Sequence, residues 1–195
     1  MGPRLFIAAL VVFISLATPH FSASGQQSST PALPTVPPKL TSLPNNVLDA
    51  ELQSARGYPF RLSDYSGKVL VVNLWATWVA PSRQETPELV KLQAHFWSKG
   101  VRVVGLSTED PKMSADEVHA WVRNYHVQYR IGWAPPDVAT ILMQGRDAIP
   151  QTFVISRNGR ILKRFVGFNA TFTPLQFKEA IEEALKEKTE SLEPN

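Results

Sequence analysis

The 195-residue chain contains no cysteine. That absence excludes structural disulfides, thiolate metal sites and thiol exchange by the protein's own side chains. A basic block is lacking as well: 20 Lys and Arg against 17 Asp and Glu leave a formal charge of +3, spread without a stripe or motif. No nucleic-acid partner is therefore expected. Metal-ligand spacing is missing too. Leader His20 aside, His119 and His126 stand two helical turns apart, and none of His95, His119 and His126 has a second histidine four residues on. Neither a metal nor a cofactor is expected. There is no Gly-x-Ser-x-Gly elbow to present a serine nucleophile. The one long apolar run, residues 5 to 17, falls short of the roughly 20 residues that cross a bilayer unaided.

What is present begins with that run. Arg4 precedes it and Ser22-Ala-Ser24 follows as a small-residue cleavage site, so residues 1–24 read as a signal peptide, or as an uncleaved membrane tether reaching through residues 5–21. The localisation that follows is extracytoplasmic, in the periplasm or cell envelope. Residues 25–44 carry Gln, Ser and five prolines, a composition that stays extended and reads as a linker. Residues 45–188 have globular patterning, and 189–195 form a polar tail. A single core is the expectation for this length.

The chain is organised around Lys68 to Pro87. Val69 to Leu74 is short, valine-rich and without polar alternation, the pattern of a strand buried on both faces. Pro81 suits a first helical turn, where its missing N–H would be unpaired anyway, and Glu85 is read as an acid favourable to the positive helix end. A strand feeding a helix follows, with the turn Trp75 to Ser82 against the helix N-terminus. Leu89, Leu92 and Phe96 share one face of that helix, which runs to about Ser98 before Gly100 ends it. Upstream, Val47–Leu52 and Tyr58–Leu62 read as a β-hairpin. Downstream come a strand over 101–106, a helix capped by Ser114 with Glu117 completing a capping box, a strand over 127–131, and a short helix capped by Asp137. A strand through 156, the Asn158-Gly159 hairpin and a last helix capped by Thr173 finish the order, with Leu175, Ala180, Ile181, Ala184 and Leu185 as its apolar positions. The alternation gives an α/β fold with a central sheet covered on both faces.

The segment Trp75-Ala-Thr-Trp-Val-Ala-Pro-Ser82 resembles the Trp-Ala-Thr-Trp-Cys-x-Pro-Cys signature of the TlpA/ResA-like thioredoxin family, extracytoplasmic thiol-disulfide oxidoreductases. The resemblance implies a thioredoxin-like fold with a mixed sheet and an N-terminal β-hairpin addition. It places Val79 at the nucleophilic cysteine and Ser82 at the resolving cysteine, and it matches Pro87 to the proline that kinks the family's helix. Glu85 matches a glutamate that lies beside the cysteine pair in relatives, and Asn73 a position where such members often carry asparagine, read here as a satisfied buried amide. Ile149-Pro150-Gln-Thr-Phe153 is similar to the family strand that opens with a cis X-Pro bond. No catalytic residue is thus assigned.

Trp75 and Trp121 have core explanations. Trp78, in the family frame, would be exposed beside Ala80, Pro81, Ile149 and Pro150, a patch that binds extended peptide in relatives without needing a thiol. The partner so implied is an extracytoplasmic protein or unfolded peptide. Two other readings compete with a redox-inactive binding or assembly factor: an oxidoreductase variant whose cysteines were substituted, and a domain whose groove is vestigial.

Overall fold

A computed structural model describes residues 40–187. The expected leader, the tether through residues 5–21, most of the linker and the 189–195 tail lie outside the described residues. Among those described, no helix is long and apolar enough to cross a membrane.

The central strand β3, Val69–Trp75, is buried at every position, as its unbroken apolar run predicts. It pairs in parallel with β4, Val101–Ser107, which pairs in parallel with β5, Arg130–Trp133. On its other side β3 pairs antiparallel with β6, Gln151–Ile155, and β6 with β7, Ile161–Val166. The sheet order is β5-β4-β3-β6-β7. This mixed sheet is the thioredoxin-like α/β arrangement that the motif implies.

Two cores lie on its faces. Helices α2 (Ala80–Phe96), α3 (Pro111–Asn124) and α5 (Thr173–Lys186) cover one, burying Leu89, Phe96, Trp121, Phe177 and Ile181 against Val69, Val71 and Val103. Helix α4, Pro136–Met143, and the N-terminal segment cover the other, where Leu142, Leu52 and Phe60 meet Leu70, Val72 and Phe153. Burying both faces excludes water from every β-branched side chain of the central strands β3, β4 and β6, the main favourable term for this architecture.

The N-terminal addition is smaller than its alternation suggests. Strands β1, Leu52–Gln53, and β2, Pro59–Phe60, do pair antiparallel. Val47 and Leu48, however, lie in the helical turn α1, Asn45–Leu48, because the Pro44 carbonyl accepts both of their N–H groups at 2.9 and 3.0 Å. The domain also starts before residue 45: Ile161 donates to the Thr41 carbonyl, and Leu43 is buried.

Several helix starts are corrected. Helix α3 begins at Pro111 with Asp110 as its cap; Ser114 sits at a kink inside it and its hydroxyl donates back to the Asp110 carbonyl. Pro at the first position and an acidic cap outcompete the Ser114 capping box. Pro136 opens α4, so Asp137 lies within its first turn and makes no cap hydrogen bond. At α5, Asn169 organises the entry by accepting from Thr171 and Phe172, while the Thr173 hydroxyl accepts from Asn169 rather than from the helix. Leu175 is exposed, and Phe177 takes the inward position against Phe165. Strand β5 starts at Arg130, since 127 to 129 still unwind from α3: Val127 donates to Val122 and His126 has a positive φ of 50°. Gly132 is required where it stands, for a Cβ there would lie 2.6 Å from the Phe60 ring.

Candidate functional site

The site is built where β3 ends and α2 begins. Val79 is the N-cap of α2, in extended backbone, and provides no side-chain cap. Pro81 removes one of the free N–H groups of the first turn. Above this, the Trp75–Val79 turn is held by Glu109, a residue the sequence does not single out. Its carboxylate accepts the Thr77 backbone N–H at 2.8 Å, the Thr77 hydroxyl at 2.6 Å and the Ser107 hydroxyl at 3.0 Å. The Arg83 side chain closes the turn from the helix side by donating to the Thr77 carbonyl.

The patch expected around the turn is partly exposed and partly not. Trp78 is 70% exposed and Ala80 is exposed, with Val79 and Pro81 half-buried. The antiparallel register pairs Leu74 with Gln151, which brings Pro150 alongside Trp75 and Ile149 toward the turn. The Ile149–Pro150 bond is cis. Ile149 is half-buried, but Pro150 is buried, a correction to its place in an exposed patch; its carbonyl accepts from Gly167 at 2.8 Å. Being anchored to β6 on one side and to the turn after β7 on the other leaves the proline ring inside. Among the described residues no hydrogen bond involves the Ile149 main chain.

Beneath the turn lies a buried polar cluster. Glu85 is 1% exposed. Asn73 donates to Glu85 Oε2 at 2.8 Å and to the Thr152 hydroxyl at 2.9 Å, and that hydroxyl donates to Glu85 Oε1 at 2.7 Å. Asn73 and Thr152 are cross-strand partners, so β3, β6 and α2 meet at one carboxyl group. The satisfied amide read for Asn73 is found. The dipole role read for Glu85 is not: it lies beyond the first turn, facing the core. Its spacing carries the signal, because Glu85, Leu89, Leu92 and Phe96 recur at steps of four, three and four on the buried stripe.

Burial pushes the Glu85 carboxyl up from 4.5 to about 7, and the hydrogen bonds from Thr152 and Asn73 only partly oppose this. Tyr129 is moved in the same sense: burial, then the neighbouring Glu85 charge, keep its phenol protonated well above the usual range. Glu85 is thus a buried group that exchanges a proton near neutral pH.

Ser82 is not activated by it. The Ser82 hydroxyl is buried and has no hydrogen-bond partner among the described residues, while both Glu85 oxygens are taken by Asn73 and Thr152. A serine nucleophile needs a base hydrogen-bonded to it, and none is placed here. Nor does the helix end supply the difference, since its roughly 2 kcal/mol at most cannot ionise an alkyl hydroxyl at neutral pH. Among the described residues no group of three or more His, Asp or Glu side chains is placed to hold a metal.

A family model described as the AhpC/TSA family matches residues 44–164. The chain belongs to the AhpC/TSA family. Within it, the chain is 30% identical over 166 residues to the thiol:disulfide interchange protein HelX of Rhodobacter capsulatus, covering 85% of this chain and 87% of HelX. It is 31% identical over 121 residues to the thiol-disulfide oxidoreductase ResA of Bacillus subtilis, a match that spans 60% of this chain and 63% of ResA. Among solved structures, a putative thiol:disulfide interchange protein DsbE from Chlorobium tepidum superposes with a TM-score of 0.64 at 26% identity, covering 76% of this chain and 98% of that one. The family is therefore that of thioredoxin-like, thiol-disulfide-oxidoreductase-related domains, and this member has neither cysteine.

The raised Glu85 pKa has a defined sign. Between pH 4.5 and 7 the folded chain holds a proton that the unfolded chain releases, so this group's contribution to stability falls as pH rises through that window and is flat above it. Replacing it, as Glu85→Gln, removes the dependence. Urea unfolding at pH 4.5 and pH 8 should show the variant gaining about 3 kcal/mol on the native chain between the two conditions; parallel pH profiles for the two proteins would contradict the buried assignment.

Proposed function

We propose that this protein is a redox-inactive thioredoxin-fold factor of the cell exterior or envelope that binds an extended segment of a partner or unfolded protein at the Trp78 turn. The observation that carries the reading is the combination at one helix end. Both positions of the cysteine pair are apolar or buried hydroxyl, Val79 and Ser82, while a large aromatic, Trp78, is held out in solvent by the Glu109 network. A tryptophan that merely packed the core would not be 70% exposed. The neighbouring Ile149 main chain, without an internal hydrogen bond among the described residues, is a ready donor and acceptor for an added strand. Export is inferred from residues 1–24, and a retained tether through residues 5–21 would keep the domain at the membrane surface. The chemistry needs no cofactor.

A second reading has its own support. Glu85 keeps a near-neutral proton site directly under the turn although no thiol remains to use it, as expected of an oxidoreductase in which only the sulfurs were replaced. The two readings separate on restoration: the double variant Val79→Cys/Ser82→Cys regains dithiol-disulfide exchange if the surroundings of the site are intact, and stays silent if they have drifted toward binding alone.

Binding itself is tested on an array of unfolded-protein peptides probed with the exported chain. Trp78→Ala should weaken retained peptides by about tenfold, the effect of losing a buried aromatic anchor of about 1.4 kcal/mol. If the substitution changes no interaction, the turn is not the binding surface.

A further inference from the structure

At the opposite end of the sheet from the Trp78 turn, a cleft of about 830 Å³ opens between the hairpin turn 54–57, the second half of α3 and the first residues of β4 and β5. Its volume falls in the roughly 300–1,000 Å³ range of small-molecule sites. Its chemistry is two-sided. Arg56, Arg102, Arg123 and Arg130 all line it, while among the described residues no aspartate or glutamate does. Trp97, Val103, Val122 and Ile131 supply an apolar wall.

Among the described residues none of the four is held in an ion pair. The ion pairs among the described residues are Lys91–Glu88, Arg160–Glu187 and Lys178–Glu182, and none involves these arginines. Arg102 is fixed in place, stacked 3.5 Å from the centroid of the Trp97 ring and donating to the Trp97 and Val101 carbonyls at 3.0 and 2.7 Å. Arg130 lies over the Phe60 ring. The rim is held by His119, whose Nε2 donates to the Ala55 carbonyl at 2.6 Å and ties α3 to the hairpin turn. On the floor, Gln93 is 5% exposed, and its carbonyl accepts from the Val103 N–H at 2.7 Å. Its amide NH2 makes no hydrogen bond with the described residues, so a nearly buried donor faces the cleft.

Four guanidinium groups around one concavity repel one another and focus a positive potential into it. An anion would relieve that repulsion and accept the fork-like donors that arginine presents to carboxylates. The apolar wall, larger than any bare anion requires, asks for a hydrophobic body attached to it. We propose that this cleft binds a small amphipathic organic anion, a carboxylate carrying an apolar chain or ring, with the head toward Arg56 and Arg123 and the body along Trp97, Val122 and Ile131.

Titration calorimetry of the full chain with sodium dodecanoate below its micellar concentration tests this, with dodecyltrimethylammonium, inorganic sulfate and an oligoglutamate peptide as separate arms. The expected result is one saturable site for dodecanoate, weakened about tenfold or more in Arg56→Gln/Arg123→Gln. Those two side chains are exposed, and an unchanged circular dichroism spectrum verifies the variant's fold. The ammonium amphiphile and sulfate should give no saturable heat. Absence of saturable dodecanoate binding, equal binding of the cationic amphiphile, an unaffected double variant, or saturation by sulfate or oligoglutamate alone would each overturn the proposal.

Discussion

Three hydrogen bonds around one buried carboxyl group hold the Trp78 end of this molecule together. Asn73 on the central strand, Thr152 on its antiparallel neighbour and Glu85 on the helix converge within 2.9 Å contacts, in a place where an unpaired polar group would carry its full desolvation cost. Because each partner belongs to a different element, helix α2 cannot slide along the sheet without orphaning one of them. The Trp75–Ser82 turn sits directly above and inherits that rigidity. Glu109 secures the other side of the turn, so Trp78 is presented to solvent by a frame pinned from below and from beside.

In such a frame the helix end would ordinarily stabilise a thiolate, since free N–H groups and the helix dipole favour negative charge there. Here the same end faces Val79, which has no proton to lose, and Ser82, whose hydroxyl is buried without a base. Membership of the AhpC/TSA family and likeness to HelX and ResA describe the scaffold; fold kinship alone does not carry their chemistry to a chain without a thiol. What persists is a proton site near neutral pH, an exposed indole, and, at the far end of the sheet, an arginine-lined cleft that owes nothing to the turn.

Much of this was readable from residue order. The valine-rich run of β3, the helix opened by Pro81 and the Asn158-Gly159 hairpin follow from strong local signals that tertiary packing reinforces, while the satisfied Asn73 amide follows from the rule that buried polar groups are paired. Errors gather where two local signals compete. Ser114 with Glu117 looks like a helix start, yet Asp110-Pro111 four residues earlier is the stronger one, and Leu175 has helical spacing but Phe177 offers more apolar surface to bury. At Glu85 the ready surface explanation for an acid near a helix N-terminus fails, because its alignment with Leu89, Leu92 and Phe96 turns it inward. Glu109, Thr152 and the cleft arginines were out of reach of periodicity: their roles arise from cross-strand register and from segments some 30 to 70 residues apart in the chain.

Disulfide turnover by the purified, metal-free protein bears most directly on the central claim, that the thioredoxin-like frame persists here without its chemistry. Reduction of insulin disulfides by dithiothreitol, followed chromatographically as loss of intact insulin, should run at the same rate with and without the native chain at every concentration. An acceleration that grows with protein and exceeds one turnover per molecule would contradict it.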